Sequence, residues 1–243
     1  RLVGKEFRTG PDDALFASTP PLEALRLIVS RAAVVGPGEV EKELMINDVS
    51  RAYFYAKCTR CLYIELPPED PDAHPDYLGR LKLCLYGTRD AALNWQQTLS
   101  DHLIEAGFTR GVGLPAVFHH AEKDIWTLVH GDDYCSAGTD SSPDWLQGVL
   151  EKRYKIKSQR IGEGVDKKGI EKQFEGQVLN RMIRRTPEGY ELEADLRHAE
   201  LIVEQLELQS CSPVVTPGID VEVKCTAWED DEDEPEEDEL PAE

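Results

Sequence analysis

This sequence has no long hydrophobic run, few basic residues and no cysteine framework. No stretch approaches the roughly 20 consecutive apolar residues with which a helix crosses a bilayer, and no basic-then-apolar signal peptide opens the chain. We therefore expect an intracellular protein that does not enter a membrane. The six cysteines are scattered, so we interpret them as reduced thiols. Cys58 and Cys61 have the spacing of half a zinc site, but no second ligand pair follows.

Basic residues are scarce relative to acidic ones. The chain has 27 Lys and Arg against 47 Asp and Glu, a formal net charge of −20. That balance argues against broad, non-specific nucleic-acid binding, although it leaves room for a locally basic cleft. From residue 219 onward there are 13 acidic residues and one Lys. We expect residues 218–243 to be a disordered, solubilising tail; the alternative is an interaction segment or a mimic of nucleic acid.

The chain contains enough apolar material for a folded core. It has 243 residues, 40% of them hydrophobic, which suits one large domain or two small ones. Short strands alternate with helices, so we predict an α+β fold with helices on one face of an antiparallel sheet. Apolar spacing predicts helices over 22–33, 90–106, 145–154 and 196–206. It predicts strands over 1–7, 44–49, 62–66, 81–86, 116–119, 154–157, 177–184 and 190–192, a hairpin over 125–137 and a flexible loop over 158–175.

A β-hairpin in the middle of the chain carries two adjacent carboxylates. The apolar run from Ile125 enters a turn in which Gly131, Asp132 and Asp133 form the predicted tip. Two neighbouring carboxylates repel each other, and a divalent cation would offset that repulsion. The alternative is an ordinary Gly-Asp turn, since turn chemistry favours both residues.

A third carboxylate, Asp48, ends the apolar strand predicted over 44–49. An unpaired carboxylate is costly to bury, so a role for it is expected. If this strand pairs with the hairpin, Asp48 converges with Asp132 and Asp133, and two Mg²⁺ ions roughly 4 Å apart could support phosphoryl transfer. The alternative is that Asp48 caps the turn at Ser50.

Several short motifs follow one another along the chain. They are Arg1-Leu-Val-Gly-Lys-Glu-Phe7, Leu15-Phe-Ala-Ser18, Leu22-Glu-Ala-Leu-Arg-Leu27, Asn47-Asp-Val-Ser-Arg-Ala-Tyr-Phe54, Leu81-Lys-Leu-Cys-Leu-Tyr-Gly87 with Trp95, Gly107-Phe-Thr-Arg110, Leu114-Pro-Ala-Val-Phe118, His130-Gly-Asp-Asp133 and Cys211-Ser-Pro-Val-Val-Thr-Pro217. Their order and wording resemble the reverse transcriptase domain of copia-type LTR retrotransposons. The resemblance runs from Arg1 to about Pro217, so we expect the chain to be a fragment of a longer Pol polyprotein.

This resemblance implies a right-hand polymerase fold. Residues 1–217 would form the fingers and a palm whose antiparallel sheet packs on helices, with the start of a thumb or connection and an insert loop at about 158–175. The implied activity is that of an RNA-directed DNA polymerase, which adds dNTPs to a primer on an RNA or DNA template. Such a protein would act in the cytoplasm or in retrotransposon particles.

The resemblance also assigns roles to individual residues. Asp48, Asp132 and Asp133 would hold two Mg²⁺ or Mn²⁺ ions. Tyr53 matches an aromatic steric gate that excludes the ribose 2′-hydroxyl. Lys5 and Arg1 would bind the triphosphate.

The sequence departs from the family pattern at three positions near the expected site. His130 and Gly131 replace a Tyr and an apolar residue, and we expect Gly131 to loosen the turn. Asp90 replaces a Gln that places the incoming nucleotide, where a carboxylate would repel a triphosphate unless it serves only as a helix cap. These departures motivate an alternative function, a catalytically degenerate polymerase-like domain that acts as a non-enzymatic binding or interaction module.

Overall fold

The computed structural model describes residues 3–7, 17, 19–36, 40–139, 141–166, 168–193 and 196–212. Arg1, residues 213–217 and the acidic tail at 218–243 lie outside the described residues, so the predictions made for them stay predictions. The chain divides into two compact units, Arg1–Leu196 and Arg197–Glu243. None of the helices in the described ranges has the length and apolarity that crossing a membrane requires.

The described residues form helices and short strands in an α+β arrangement, as the sequence predicts. A 3₁₀ helix, Ala52–Tyr55, follows the first strand. The helices are α1 (Leu22–Ala33), α2 (Ala91–Glu105), α3 (Ser141–Glu151) and α4 (Leu196–Gln205), and the strands are β1 (Lys42–Val49), β2 (Tyr63–Glu65), β3 (Leu78–Arg80), β4 (Thr109–Arg110), β5 (Val117–His120), β6 (Ile125–His130), β7 (Asp133–Thr139), β8 (Ile156–Ile161), β9 (Glu175–Val178), β10 (Arg181–Thr186) and β11 (Gly189–Leu192).

The main sheet places β1 beside the hairpin formed by β6 and β7. Its six strands run in the order β4-β5-β6-β7-β1-β8, and every neighbouring pair is antiparallel. The predicted pairing of the first long strand with the hairpin is therefore confirmed. Two smaller sheets, β11-β10-β9 and β2-β3, complete the strand pairing of the described residues.

Strand β1 is buried on both faces. Because α2 and α3 pack on one face and α1 packs on the other, the prediction that helices cover one face of the sheet is wrong. Met45 and Val49 contact a cluster that includes Trp95 and Leu99 of α2 and residues of α3. Leu44 and Ile46 contact a second cluster built on α1, β9 and β10. Burial of each such side chain contributes roughly 1.5–3 kcal/mol. The apolar residues of β1 are thus Leu44, Met45, Ile46 and Val49, and Asp48 lies between the buried Asn47 and Val49 at the end of the strand.

The helices begin and end at residues that the sequence marks. Helix α1 follows Pro20 and Pro21, and its buried face repeats at helical spacing. Helix α2 is followed by Gly107, which adopts a φ of +98°, a conformation that favours glycine after a helix end. Asp90 does precede α2, but its side chain makes no capping hydrogen bond, so the capping interpretation is wrong.

Four predicted elements differ in the structure. Residues 3–7 form no strand, and Gly4 N–H instead donates to the Tyr86 carbonyl at 2.6 Å. Residues 81–86 make only isolated backbone bonds to neighbouring loops, so they too form no strand. The loop predicted over 158–175 begins later, because residues 158–161 belong to β8 and pair with β1. Helix α3 also begins four residues earlier than predicted.

Candidate functional site

The tip of the β6–β7 hairpin is a two-residue turn. Gly131 has a φ of +61°, whereas Asp132 is not among the residues with positive φ, which matches a type II′ turn with glycine first. Asp133 is already the first residue of β7 rather than part of the tip. Glycine suits this position, because the backbone of Gly131 adopts a conformation that strains other L-residues. The expectation that Gly131 loosens the turn stays a prediction. A Cβ at Gly131 would meet nothing within 4 Å, so backbone conformation alone sets this requirement.

Four polar residues form one row across the sheet. Asp133 lies opposite His130 on β6 and opposite Asp48 on β1, and Asp48 lies opposite Lys157 on β8. Directly opposed side chains share a face of the sheet. Order along the row is therefore His130, Asp133, Asp48 and Lys157.

The two aspartates of this row occupy the closest kind of strand pair. Val49 N–H donates to the Asp132 carbonyl at 2.9 Å, so these two residues belong to a hydrogen-bonded pair. Pair types alternate along an antiparallel ladder, so Asp48 and Asp133 form a non-hydrogen-bonded pair, in which side chains approach most closely. Asp48 and Asp133 lie 85 residues apart in the sequence, and their carboxylates are therefore direct neighbours on one face of the sheet.

The acidic charges act on one another. Burial first, and then the negative charges of Asp132 and Asp48, raise the pKa of Asp133, while His130 acts in the opposite direction. The order of causes shows that this carboxyl is both desolvated and crowded by like charge. A cation at this end of the sheet would relieve the repulsion.

A cavity of about 550 Å³ opens beside this row. Two carboxylates, Asp48 and Asp132, and two cations, Arg51 and Lys157, line it, and its size suits a small-molecule ligand. Phe54 and Tyr86 supply aromatic walls. The cavity therefore combines negative groups, positive groups and ring faces within one space.

Arg51 adopts an unusual backbone conformation at the edge of this cavity. Its φ and ψ are 60° and 43°, in the left-handed region that non-glycine residues seldom adopt. The side chain is exposed. Strain of this kind persists where surrounding structure fixes it, and it often marks functional positions.

The predicted nucleotide-binding residues are only partly brought to this cavity. Tyr53 is half-buried and stacks on Tyr86, with ring centroids 4.4 Å apart and planes at 25°, so it lies behind a wall residue. Lys5 is exposed and lines another cavity of about 440 Å³ with Tyr63 and Leu85. Arg1 lies outside the described residues.

Asp90 belongs to a cluster of ion pairs in which Arg60 offsets its negative charge. It is buried, and its carboxylate accepts hydrogen bonds from Arg60 Nη2 at 2.7 Å and Asn94 Nδ2 at 3.0 Å. Arg60 also makes two hydrogen bonds to Glu6, at 2.8 and 2.9 Å. The hydrogen bond from Arg60 is the main cause that lowers the pKa of Asp90, and likewise that of Glu6. The charge of Asp90 is thus paired with Arg60, away from the cavity lining.

Sequence reasoning assigned no role to four side chains of the cavity lining, Arg51, Phe54, Tyr86 and Lys157. Lys157 belongs to a predicted basic strand, Tyr154-Lys-Ile-Lys157, but its partner strand was not predicted. Register decides its place, since β8 pairs with β1 so that Lys157 opposes Asp48. Arg51 and Phe54 lie close in the sequence to Tyr53, which was predicted. The directions of their side chains depend on the left-handed backbone conformation of Arg51, just before the 3₁₀ helix.

The donor set suits a hard divalent cation. Within the described ranges, no three His, Cys, Asp or Glu side chains are grouped as a ready-made metal cluster. Mg²⁺, however, commonly takes one or two protein carboxylates and completes its shell with water and phosphate oxygens. Asp48 and Asp132 on one cavity wall, with Asp133 opposite Asp48, offer such ligands. The residues therefore fit Mg²⁺ or Mn²⁺ in a site that a phosphate ligand would complete.

Comparison with known proteins finds relatives among transposon polyproteins. No family model matches the chain. It is 34% identical over 119 residues to the transposon Ty1-DR1 Gag-Pol polyprotein of Saccharomyces cerevisiae, covering 48% of this chain and 7% of that protein. It is 24% identical over 222 residues to the retrovirus-related Pol polyprotein from transposon RE2 of Arabidopsis thaliana, covering 89% of this chain and 14% of that protein. The corresponding polyprotein from transposon RE1 is 26% identical over 164 residues, covering 65% and 11%.

These matches show distant similarity to Ty1/copia-type Gag-Pol polyproteins. The chain spans between 7 and 14% of the length of these three relatives.

Proposed function

We propose that this chain is the reverse transcriptase domain of a copia-type retrotransposon, an RNA-directed DNA polymerase with a right-hand fingers and palm. One observation carries the proposal: Asp48 and Asp132 line one cavity while Asp133 opposes Asp48 across two paired strands. These residues also fall in the motifs that resemble that family, and similarity to a Pol polyprotein extends over 89% of the chain.

In this function the three aspartates are the metal ligands. Asp48 and Asp132 would hold Mg²⁺ or Mn²⁺ in the cavity that both of them line, and Asp133 would add negative charge beside them. Ions held there would favour loss of the proton from the primer 3′-hydroxyl, whose oxygen forms a bond to the α-phosphorus of the dNTP as the bond to pyrophosphate breaks, and would offset the charge on that leaving group. The protein contributes a fixed arrangement of carboxylates, set by the β1–β7 register and the type II′ turn.

Arg51 and Lys157 bind the triphosphate in this proposal. Both line the cavity beside the carboxylates. An arginine can contact phosphate oxygens through two N–H groups, while a lysine acts as a compact point charge. They add to the role proposed for Lys5 and Arg1 on the fingers segment.

The aromatic residues form the sugar side of the proposed nucleotide site. Phe54 and Tyr86 line the cavity, and the ring of Tyr86 stacks on Tyr53. We propose that Tyr53 contributes to exclusion of the ribose 2′-hydroxyl by fixing Tyr86. The steric gate would then be a stacked pair rather than a single ring.

Binding of the template–primer relies on local positive charge in an acidic protein. Lys152, Arg153, Lys155 and Lys157 lie within six residues, and all four are exposed. The last of them reaches the cavity. This basic segment, residues 152–157, is the proposed contact for phosphates of the duplex.

Primer extension tests the proposed function. The purified chain, given an RNA template, a DNA primer, dNTPs and Mg²⁺ or Mn²⁺, should extend the primer. Asp132→Asn should reduce extension to background, because it removes a metal ligand. Asp101→Asn, which changes an exposed aspartate on α2, is the matched control and should retain activity.

Two results would contradict the proposal. One is the absence of extension by the folded wild-type chain, and the other is extension that survives Asp132→Asn. A chain that does not extend primers and binds template–primer weakly, with little salt dependence, would instead match the non-enzymatic binding module.

A further inference from the structure

Trp95 ties helix α2 to the turn that carries Asp132. Its indole Nε1–H donates a hydrogen bond of 2.7 Å to the carbonyl of Gly131. The Trp95 side chain is 1% exposed and belongs to the core cluster on α2, whereas Gly131 is exposed. The buried indole N–H of Trp95 thus forms a hydrogen bond with the backbone of an exposed turn.

The same indole packs against two tyrosines, and one of them contacts other segments that line the cavity. The centroid of its ring lies 5.2 Å from that of the Tyr154 ring, in an edge-to-face arrangement, and 6.4 Å from that of the Tyr55 ring. Tyr55 Oη accepts the Lys155 N–H at 3.0 Å, and the Lys155 carbonyl accepts the Ser50 N–H at 2.9 Å. Trp95 therefore contacts the segment of Asp132 directly, the segment of Lys157 through Tyr55, and the segment of Asp48 through Tyr55 and Lys155.

We propose that Trp95 is a positioning residue of the carboxylate site. By holding the Gly131 carbonyl it fixes the turn, and the turn sets the direction from which Asp132 meets a metal ion opposite Asp48. This inference rests on the proposed function, because it assumes that these aspartates bind a metal ion. Groups that orient metal ligands from behind typically change metal affinity by 10–100-fold.

The variant Trp95→Phe separates positioning from packing. It keeps an aromatic ring in the core and removes the N–H donor. The Gly131 carbonyl lies on an exposed turn and can be hydrated, so the lost hydrogen bond itself should cost little stability. The smaller ring also leaves a cavity in the core, a cost that the control below shares in kind. Trp145→Phe is the matched control, since Trp145 packs against the same core cluster but contacts Phe108 and His120 instead of the turn.

Calorimetric titration of Mn²⁺ into the full chain tests the inference. Trp95→Phe should weaken Mn²⁺ binding by about tenfold or more, whereas Trp145→Phe should leave it within about twofold. Wild-type affinity in folded Trp95→Phe would overturn the inference while leaving the proposed function intact. If Mn²⁺ binding by the wild type is absent or survives Asp48→Asn, the metal site fails, and the inference fails with it.

A measurement on the wild type covers the case in which Trp95→Phe does not fold. With ¹⁵N-labelled tryptophan, addition of Mg²⁺ should shift the indole N–H resonance of Trp95 and leave that of Trp145 in place. An unmoved Trp95 resonance at saturating Mg²⁺ would overturn the inference.

Discussion

Gly131 provides a test at the residue scale. Gly131→Ala should destabilise the protein by about 1–2 kcal/mol, because alanine must adopt a φ near +61° in the turn. Urea unfolding measures the change. Gly113→Ala is the control: its φ is not positive and its Cβ would also meet nothing within 4 Å, so its stability should stay equal or rise slightly. Equal effects of the two substitutions would contradict the turn assignment.

Individual residues of the site were predictable where their chemistry is local. Asp48, Asp132 and Asp133 could be selected from the sequence because a strand end and a hairpin turn place these carboxylates where an unpaired charge is costly. Lys157 could not, because its place depends on which strand β8 joins. The contact of Asp90 was equally hidden, since its partner Arg60 lies 30 residues away in the chain.

Asp90 should make stability depend on pH. Its pKa is lowered in the folded state, chiefly by the Arg60 hydrogen bond, so its stabilisation is present above the unfolded pKa of about 4 and is lost as the pH falls through the folded pKa. Asp90→Asn should therefore cost about 1–3 kcal/mol at pH 7 and less at pH 3.

Denaturant unfolding at the two pH values provides that comparison. Asp101→Asn, at an exposed position on α2, should show little cost at either pH. A cost of Asp90→Asn that does not shrink at low pH would show that the Arg60 contact is not the source of the stabilisation.

At the scale of elements, periodicity predicted well where one face or both faces of an element are buried. Helices α1 and α2, strand β1 and the β6–β7 hairpin follow from apolar spacing and from turn residues. Residues 158–161 were assigned to a loop because their composition is polar and charged. Their place in a strand depends on long-range partners: β1 supplies the ladder, and Asp144 and Glu43 pair with the buried Arg160.

Ile161 distinguishes the strand from the predicted loop. Its side chain is fully buried and opposite Leu44, so Ile161→Ala should cost about 2–4 kcal/mol. Val165→Ala removes an exposed apolar side chain from the following loop and should cost less than about 0.5 kcal/mol. Both values come from chemical denaturation. Equal, small losses of stability in the two variants would indicate that residue 161 lies in a loop rather than in β8.

At the scale of the whole molecule, charge sets the conditions for binding a polyanion. A net charge of −20 repels nucleic acid, so affinity must come from local bases such as those at residues 152–157. This distribution was only partly predictable, because composition gives the total charge while the fold decides which bases share a surface with the carboxylates.

Salt dependence measures that local contribution. Lys155→Ala should weaken binding of the template–primer and make the slope of log affinity against log salt shallower by about 0.9, the value expected for one lost phosphate contact. Lys123→Ala is the control, because Lys123 lies in the turn at the other end of β6 from Gly131. An unchanged slope in Lys155→Ala would remove the basic segment from the proposed interface.

The most direct test of the carboxylate centre is anomalous diffraction from crystals of the chain grown with Mn²⁺, template–primer and a non-reactive dNTP analogue. Two manganese peaks roughly 4 Å apart should lie beside Asp48 and Asp132 and contact the triphosphate. Manganese bound elsewhere, with neither aspartate within coordination distance of an ion, would contradict the assignment of these residues as the catalytic centre.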